Sequence, residues 1–486
     1  MVIPLTFATN KILIFYYMKN NLVYLIGAAF FVGCLSMVTS CVNGVDDEYL
    51  ELSNLGGGTT DGEGEEEQLP DLNGEYSIEG DYELVMTCNG EVLDGKKVVM
   101  AVDETNESAT ITFAAAQTDL ETAIATAIPG GGLVAGWGLK YTGNSPIPGV
   151  KEITVTNVPL FKKGTGYMLK GGDIQPTYSM SFVGEVDNQK LTVDINYELT
   201  NQKLAGTWKL ADVYNRNDND NSPDFSPLWF DWDSKVEADL GTIQIEFMGR
   251  PMQQKVKGKM NGIFNTIAGS LSPTIMDQII GVTIGVEPLV KNLLQSVTAK
   301  PNGGMYGIYS YSGDLQNPQW SGSDGMPHNL IRYYYDPERP DERIYIELNS
   351  GFLVNLITSL ATPASRAVPT TRAELRDVAK ELIALLVPLL ENGIPCEYKL
   401  EGDNLTINID GVVLKNILVK LMEVANDPSA SAVLDGLFES LGDFKENIIK
   451  LLASLPTTLK YHDYDKATDT YSGECTYVKL GLKFVK

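Results

Sequence analysis

Histidine is the side chain best suited to general base catalysis near neutral pH, and this sequence contains two, His328 and His462. A Ser-His-Asp site would need one of them, yet no G-x-S-x-G elbow occurs, and His462 lies beside Asp463 at an expected strand end. There is also no H-E-x-x-H, no C-x-x-C and no G-x-G-x-x-G after a strand. We therefore interpret both histidines as surface residues and predict no catalytic residue, although carboxylates converging on either imidazole would favour an enzyme.

One polar stretch is similar to part of a calcium-binding loop, because Asp218, Asp220 and Ser222 alternate as hard oxygen ligands should. The stretch differs from a calcium-binding loop at two positions that such a loop requires. Pro223 stands where the turn glycine belongs, and Trp229 stands where the bidentate glutamate would be. Asp218 and Asp220 are the candidate ligands if a metal binds here, but these departures favour a solvated polar loop. We predict neither a metal nor a cofactor.

Aromatic residues concentrate between residues 229 and 345 and include three tryptophans, Trp229, Trp232 and Trp320. Exposed aromatic faces beside Asp and Asn could stack on sugar rings, so these three are the candidate ligand-binding residues. Coplanar exposed tryptophans would favour such a glycan site. The alternative is that alternate aromatic residues of strands fill a β core, where they are favoured anyway.

The N-terminal part has the order of a secretory signal: Lys19 follows Met18, an apolar stretch runs over residues 22–32, and small residues precede Cys41. Val38-Thr39-Ser40-Cys41 resembles the lipobox of bacterial lipoproteins, in which the cysteine thiol receives a diacylglyceryl group and becomes the mature N-terminus. The resemblance implies that residues 1–40 comprise an upstream extension and a signal peptide, and that several acyl chains hold Cys41 firmly in a membrane.

An acidic cluster, Asp46-Asp47-Glu48, follows the cysteine and resembles the export signal of Bacteroidetes surface lipoproteins. That resemblance implies the outer face of the outer membrane. The alternative is that these acids only solvate a tether. The whole chain is similar to large lipoproteins of gut Bacteroidetes, in which β domains of unknown function follow a lipobox and an acidic linker. This likeness implies a location and no activity.

Charge and cysteine content restrict the partners and the covalent framework. The formal net charge is −26, and a chain of that charge without clustered Lys and Arg is an improbable ligand for phosphate backbones. We therefore exclude nucleic acid as a partner. Cys88, Cys396 and Cys475 remain beyond the signal and Cys41, so at most one disulfide can form, and small buried thiols are the default interpretation.

Composition divides the mature chain into three parts. Residues 41–71 contain repeated Gly and Glu and predict a mobile tether. Residues 72–202 show short alternating runs with turn residues and predict a mainly antiparallel β domain. Residues 203–486 predict a second β domain with inserted amphipathic helices, so the expected class is α+β. The predicted helices include 119–128, 371–390, 413–422, 433–441 and 448–455, with an earlier pair between 263 and 297.

Two short echoes suggest that the β domains are related. Leu204-Ala205-Gly206-Thr207-Trp208 repeats the Leu-x-Gly-x-aromatic pattern of Leu72-Asn73-Gly74-Glu75-Tyr76. Residues 402–409 likewise repeat the pattern of residues 187–195. Short β motifs also recur by chance, and the spacings differ, so a duplication would require long insertions in the second domain.

Together these observations predict a membrane-anchored, non-catalytic surface lipoprotein that binds a glycan or an apolar small ligand. A lipid or other apolar ligand would require a deep apolar pocket among the helices. The alternative is a structural or accessory subunit of an outer-membrane assembly, for which one large exposed apolar patch is expected. A hydrolase ranks third.

Overall fold

A computed structural model of the chain shows a mainly β protein with two large sheets and few short helices. The residues that the structure describes are 72–77, 80, 82–105, 107–119, 138, 140–187, 189–212, 227–247, 250–262, 294–309, 319–320, 331–348, 387–426 and 455–486.

The strands of the first half all precede residue 200. They are β1 (Gly74–Ser77), β2 (Glu83–Cys88), β3 (Glu91–Val92), β4 (Lys96–Val102), β5 (Ser108–Ala115), β6 (Gln117–Asp119), β7 (Lys140–Thr142), β8 (Glu152–Lys163), β9 (Gly166–Ile174), β10 (Tyr178–Asp187) and β11 (Lys190–Leu199).

The strands of the second half all follow residue 205. They are β12 (Gly206–Leu210), β13 (Leu228–Trp232), β14 (Glu237–Phe247), β15 (Arg250–Lys259), β16 (Leu294–Ala299), β17 (Met305–Tyr309), β18 (Ile331–Tyr335), β19 (Arg343–Leu348), β20 (Ile394–Glu401), β21 (Asn404–Ile409), β22 (Tyr461–Asp465), β23 (Thr470–Glu474) and β24 (Val478–Val485). The helix α1 (Gly411–Asn426) follows β21.

The first large sheet is a curled half-barrel with the order β1-β4-β5-β8-β9-β10-β11-β2-β3. Strict alternation along β10 and β11 buries every second side chain, among them Phe182 and Val193, and exposes those between. Neighbouring strands run antiparallel except β11 and β2, which run parallel. A bridge between Tyr76 and Tyr82 brings β1 beside the start of β2.

The second large sheet is a nearly closed antiparallel barrel with the order β17-β16-β12-β24-β21-β20-β19-β18, and β13 also pairs with β24. A bridge between Gly304 and Arg332 links its two ends, and the Tyr333 N–H donates to the Gly303 carbonyl at 2.7 Å. Closure of this kind satisfies the edge groups that an open sheet would leave unpaired. Smaller pairs join β6 to β7, β14 to β15 and β22 to β23.

The first echo forms the same local structure in both sheets. The Tyr76 hydroxyl donates to the Leu72 carbonyl at 3.0 Å, and the Trp208 indole N–H donates to the Leu204 carbonyl at 2.8 Å. Both strands begin at the glycine of the motif. Each glycine has a positive φ, +152° at Gly74 and +139° at Gly206. The repeated sequence motif therefore forms the same local structure at the start of β1 and of β12.

The second echo also occupies equivalent positions. In each sheet a two-residue turn joins consecutive antiparallel strands, with Asp187 paired to Lys190 in one and Glu401 paired to Asn404 in the other. Starting from the first echo, the strand order is β1-β4-β5-β8-β9-β10-β11-β2 in one sheet and β12-β16-β17-β18-β19-β20-β21-β24 in the other. The two orders correspond except at the closing strand, which is the early, parallel β2 in one sheet and the last, antiparallel β24 in the other, so the relation between the domains stays a prediction.

One hydrophobic cluster runs through both sheets and includes Phe182 of β10, Trp208 of β12 and Tyr333 of β18. A second cluster lies where α1 packs against β24, and it includes Val478 and Leu480. The Asp410 carboxylate caps α1 by accepting the N–H groups of Val412 and Val413. The apolar stripe predicted at 413–422 is confirmed, and its innermost members are Leu414, Leu418 and Met422.

The mainly antiparallel β structure predicted for residues 72–202 agrees with the strands observed there, and Asn89 and Gly90, both with positive φ, form the turn between β2 and β3. The helix predicted at 119–128 is wrong at its start, because Asp119 closes β6; its remainder lies outside the described residues. The other helical insertions also fall mostly outside, apart from helical residues 387–392 and 455–460, so the finer α+β description remains a prediction. In the part of the chain that is described, no helix combines the length and apolar character needed to cross a membrane.

Candidate functional site

The most exposed aromatic cluster lies on the β22–β23 hairpin, near the C-terminal end of the chain. The pairing is antiparallel and sets Tyr464 opposite Tyr471. Asp465 accepts the Ala467 N–H at 2.8 Å, and Asp469 adopts a left-handed φ of 52°, so the turn between the strands is built by its own carboxylates. This turn fixes which side chains face each other across the hairpin.

Three tyrosine rings pack together there. The Tyr471 ring lies 5.2 Å from that of Tyr461, centroid to centroid, in a stacked arrangement, and 4.8 Å from that of Tyr464. Tyr471 is 46% exposed, and the other two are partly exposed. We call these residues the tyrosine cluster. It offers amphipathic ring surface to solvent, a property typical of binding sites for partly apolar, hydroxyl-rich ligands.

Carboxylates surround the tyrosine cluster. The Tyr464 hydroxyl donates to Asp469 at 2.7 Å, and this hydrogen bond raises the pKa of Tyr464. The backbone N–H of Ala467 lowers the pKa of Asp465. Each carboxylate keeps acceptor capacity for further donors, since an ionised carboxylate offers about four lone-pair sites.

The hairpin is held against the core at its base. Ser234 Oγ donates to the Tyr461 carbonyl at 2.6 Å, and the Lys235 N–H donates to the His462 carbonyl at 2.7 Å. His462 Nδ1 lies 3.0 Å from Asp233, which also accepts the Thr476 hydroxyl at 2.6 Å. The tyrosine cluster is therefore fixed in position before any ligand binds, which lowers the entropic cost of binding.

His462 is the described residue closest to a catalytic arrangement, because two carboxylates flank its ring. Nδ1 faces Asp233, and Nε2 lies 3.6 Å from Asp463. Carboxylates converging on this imidazole are the arrangement expected to favour an enzyme, but a general base also needs a nitrogen directed at a nucleophile or substrate proton, and here both nitrogens face carboxylates. Burial raises the pKa of the nearby Cys475 thiol, whose Sγ contacts the Tyr477 carbonyl. The arrangement joins β22 and residues 475–477 to residues 233–235.

The three candidate tryptophans do not form a common platform in the described part of the chain. Trp232 is 1% exposed, and its indole N–H donates to the Thr458 carbonyl at 3.1 Å, so it is a core residue as the alternative interpretation had it. Trp229 lies on the opposite face of the same strand and is partly exposed. Trp320 is partly exposed in an isolated described segment.

Several other predicted site residues cannot be placed. Cys41, Asp218, Asp220 and His328 lie outside the described residues. Among the residues that are described, no group of three or more His, Cys, Asp and Glu side chains could hold a metal ion. Cys88, Cys396 and Cys475 are buried, in agreement with the default interpretation of small buried thiols.

A small apolar cavity in the second sheet is lined by Trp208, Met305 and Phe484, among others. Its volume is about 10 Å³, which is room for about one water molecule. A barrel of about eight strands is just wide enough to be filled by its own side chains, and this one is filled in the region described.

A second, polar cavity of about 10 Å³ lies at the junction of the two sheets. Arg332 of β18 donates to Glu347 of β19 at 2.6 Å and to the Pro146 carbonyl at 2.5 Å. Lys96 of β4 donates to the Asn144 carbonyl at 2.8 Å, and the Asn144 amide donates to Glu347 at 2.8 Å. We call Lys96, Arg332 and Glu347 the junction charges. They join the two sheets through buried, hydrogen-bonded groups.

All three junction charges have shifted pKa values, and pairing with Glu347 raises the pKa of Arg332 against the opposing effect of burial. Burial lowers the pKa of Lys96 to about 8, and the nearby Arg332 charge adds to this effect. Burial opposes ionisation of Glu347, but Arg332 and Lys96 outweigh it and lower the pKa of that carboxyl. The junction therefore holds two positive charges and one negative charge near neutral pH, enclosed between the sheets.

Sequence reasoning missed the tyrosine cluster, although it predicted a strand around Tyr461. The available signal was the recurrence of tyrosines among aspartates in residues 461–474. No family model, no curated protein and no solved structure matches this chain.

Proposed function

We propose that this chain is a lipid-anchored surface protein that binds a glycan on the tyrosine cluster without transforming it. The observation that carries the proposal is the packing of Tyr461, Tyr464 and Tyr471 on an exposed hairpin whose turn presents Asp465 and Asp469. Tyrosine ring faces accept the C–H faces of pyranose rings, and carboxylates accept hydroxyl hydrogen bonds. These two kinds of contact together select a sugar over a purely apolar ligand.

Attachment to the membrane is the second part of the proposal and depends on Cys41. The lipobox-like residues 38–41 and the acidic residues 46–48 support a diacylated cysteine at the outer membrane, exposed at the cell surface. A tether over residues 41–71 would let the hairpin reach glycans beyond the lipid surface. The anchor and the hairpin are thus complementary parts of one surface receptor.

Two further expectations stay as alternatives. An apolar ligand would need more room than the two described cavities provide, so it would have to bind elsewhere. An accessory subunit would need a large apolar patch; Phe161 and Met168 are exposed and directly opposed on the outer face of the first sheet. The helical region expected to dock lies mostly outside the described residues.

The test is a glycan array probed with the full-length protein in detergent. We expect retention of a subset of oligosaccharides and recovery of the bound sugars with unchanged mass. Tyr471→Ala should weaken binding about tenfold, which corresponds to about 1.4 kcal/mol, because it removes the most exposed ring of the cluster. Tyr471→Phe keeps the ring and should bind as the wild type does.

Phe161→Ala is the matched control, since Phe161 is an aromatic residue that is 58% exposed and lies on the first sheet. It should leave glycan binding unchanged. If the wild type retains no glycan, or if Tyr471→Ala binds as tightly as Phe161→Ala, the proposal fails. Far-ultraviolet circular dichroism of each variant checks that the sheets remain folded.

A further inference from the structure

The junction charges hold more positive than negative charge, at a place that the proposed glycan site does not use. We infer that the polar cavity beside them binds one small monovalent anion, such as chloride, between the Lys96 ammonium and the Arg332 guanidinium. The balance of charge, a surplus of hydrogen-bond donors and the size of the cavity support this site, and none of them depends on the tyrosine cluster.

Positive charge exceeds negative charge around Lys96. Besides burial, the charges that act on the pKa of Lys96 are the positive Arg332 and Lys151 and the negative Glu347. Cys88, the other titratable neighbour, is uncharged at neutral pH because burial raises the pKa of its thiol to about 11. Lys96 and Arg332 are buried, so water screens this excess poorly. A bound anion would offset it.

Donors also outnumber acceptors at the junction. Glu347 accepts Arg332 on Oε1 and the Asn144 amide on Oε2, and no carboxylate of a described residue lies within ion-pair distance of Lys96. Within the described ranges, the other acceptors are the Asn144 carbonyl for Lys96 and the Pro146 carbonyl for Arg332. An ammonium carries about three N–H donors and a guanidinium about five, so most of these donors lack an acceptor.

A buried hydroxyl adds another donor. Tyr197 of β11 is 2% exposed, and its hydroxyl has no hydrogen-bond partner in the part of the chain that is described. A Cβ built on Gly303 would lie 3.1 Å from this hydroxyl, and the next residue, Gly304, forms the bridge to Arg332. Burial raises the pKa of Tyr197, and the charge of Arg332 lowers it. A buried donor of this kind indicates a bound water or ion, and the excess of positive charge favours an anion.

The cavity has the size of a single small ion. Lys96, Arg332 and Glu347 line it, and its volume of about 10 Å³ is room for about one water molecule. A chloride ion is only slightly larger, and the flexible lysine side chain can make up the difference. Asp94 also lines the cavity but is exposed, so solvent screens its charge. Anions of several heavy atoms, such as sulfate or gluconate, are too large.

Urea unfolding of the full-length protein in detergent tests the site, with gluconate replaced stepwise by chloride at constant sodium concentration. At about pH 6 Lys96 is protonated, since its pKa is about 8. Chloride would bind the folded protein alone, so each tenfold rise in chloride above the dissociation constant should raise the equilibrium constant for folding about tenfold. A constant that does not change with chloride overturns the inference.

Lys96→Met removes the ammonium and should abolish the chloride dependence. Lys97→Met is the matched control, because Lys97 is the next residue of β4 and pairs with Glu75 near the surface. It should depend on chloride as the wild type does, and general effects of the salt are common to both variants. Equal chloride dependence of the two variants would overturn the inference.

Tyr197→Phe removes the unpartnered hydroxyl and keeps the ring. It should raise the chloride concentration needed for half of the effect about tenfold, as loss of one hydrogen bond to a charged group would. Tyr178→Phe is its control, because the Tyr178 hydroxyl donates to Asp173. If Tyr197→Phe responds to chloride as Tyr178→Phe does, the anion is not bound at the junction.

The site also links chloride to pH. A bound anion stabilises the Lys96 ammonium and therefore raises its pKa from about 8 toward the ordinary value of 10.5. The chloride dependence should be complete at about pH 6 and disappear above about pH 10, where the folded protein has lost this proton. Equal chloride dependence at both pH values would contradict binding beside Lys96.

Bromide provides a measurement that needs no variant. In crystals of the wild-type protein grown in sodium bromide, we expect an anomalous-scattering peak between Lys96 Nζ and the Arg332 guanidinium, within hydrogen-bond distance of the Tyr197 hydroxyl. A water molecule without anomalous signal at this position overturns the inference. Bromide peaks confined to the protein surface do the same, because they would show adventitious ions only.

Discussion

Lys96, Arg332 and Glu347 bring three formal charges into a region that water barely reaches. Arg332 and Glu347 are direct cross-strand partners, so their pairing follows from the register of β18 and β19. Lys96 approaches from the other sheet and has no carboxylate within ion-pair distance, only a carbonyl. Burying an ammonium in this way costs stability that the neutral amine would not.

Stability should therefore rise with pH through the titration of Lys96. Its pKa is about 8 in the folded protein and 10.5 when unperturbed, so between these values the unfolded chain holds a proton that the folded chain has released. Relative to Lys96→Met, the wild type should gain up to about 3 kcal/mol of unfolding free energy over this interval. Urea unfolding followed by tryptophan fluorescence at a series of pH values measures the difference.

Lys97→Met is the control, because Lys97 is the next residue of β4 and pairs with Glu75 near the surface. It should follow the pH dependence of the wild type. Burial raises the pKa of tyrosines such as Tyr141, so above about pH 10 their ionisation in the unfolded chain lowers the free energy of unfolding. This effect is common to all three proteins and cancels in the comparison. A wild type and a Lys96→Met variant with parallel pH profiles would contradict the assignment.

The burial of Lys96 could have been anticipated from the alternation of its strand. In β4 it is in phase with Val98 and Met100, which are fully buried. A lysine at an inward position predicts either a strand that begins later or a buried charge. Sequence alone could not supply Arg332 and Glu347, because they lie more than 200 residues away and reach Lys96 only through the contact between the sheets.

At the scale of elements, the start of β1 leads to a prediction about the Tyr76 hydroxyl. The Tyr76 hydroxyl satisfies the buried Leu72 carbonyl, so Tyr76→Phe should lower the free energy of unfolding by about 1 kcal/mol. Tyr82→Phe is the control, since the Tyr82 ring packs on Tyr76 at 5.1 Å and is less buried. Equal free energies of unfolding of the two variants in urea titration would show that the hydrogen bond from Tyr76 to Leu72 does not stabilise the start of β1.

Strands with strict alternation were predictable, whereas β9, whose alternation stops at two consecutive glycines, was not. β10 and β11 alternate without a break, and the sequence predicts both. β9 was missed because Gly171 and Gly172 interrupt its pattern. The structure explains Gly171: a Cβ there would lie 2.5 Å from the Phe182 ring, so the ring occupies the space that a side chain would need.

For the whole molecule, the proposed attachment to a membrane depends on Cys41. Cys41→Ser should abolish labelling by a clickable palmitate analogue and move the protein from the membrane fraction to the soluble fraction. Cys34→Ser, which changes a neighbouring cysteine of the expected signal, should preserve both properties. Unchanged processing and unchanged membrane attachment of Cys41→Ser would exclude the lipobox interpretation.

The mainly β character of the molecule was predictable, but the way its strands assemble was not. Local alternation identifies a strand without naming its neighbours. The parallel pairing of β2 with β11 joins residues more than 100 positions apart, and no turn signal marks it. The same limit applies to the site, because the contact between Asp233 and His462 forms only when distant strands meet.

The position of β24 has a consequence for how the protein matures. β24 pairs with β12, β13 and β21, and its contact with β12 joins residue 209 to residue 485. As the chain is made from its N-terminus, the edge of β12 that pairs with β24 stays unpaired until residues 478–485 have been synthesised. Long-range pairings of this kind form slowly, so the barrel of the second sheet is exposed to aggregation until its last strand is in place.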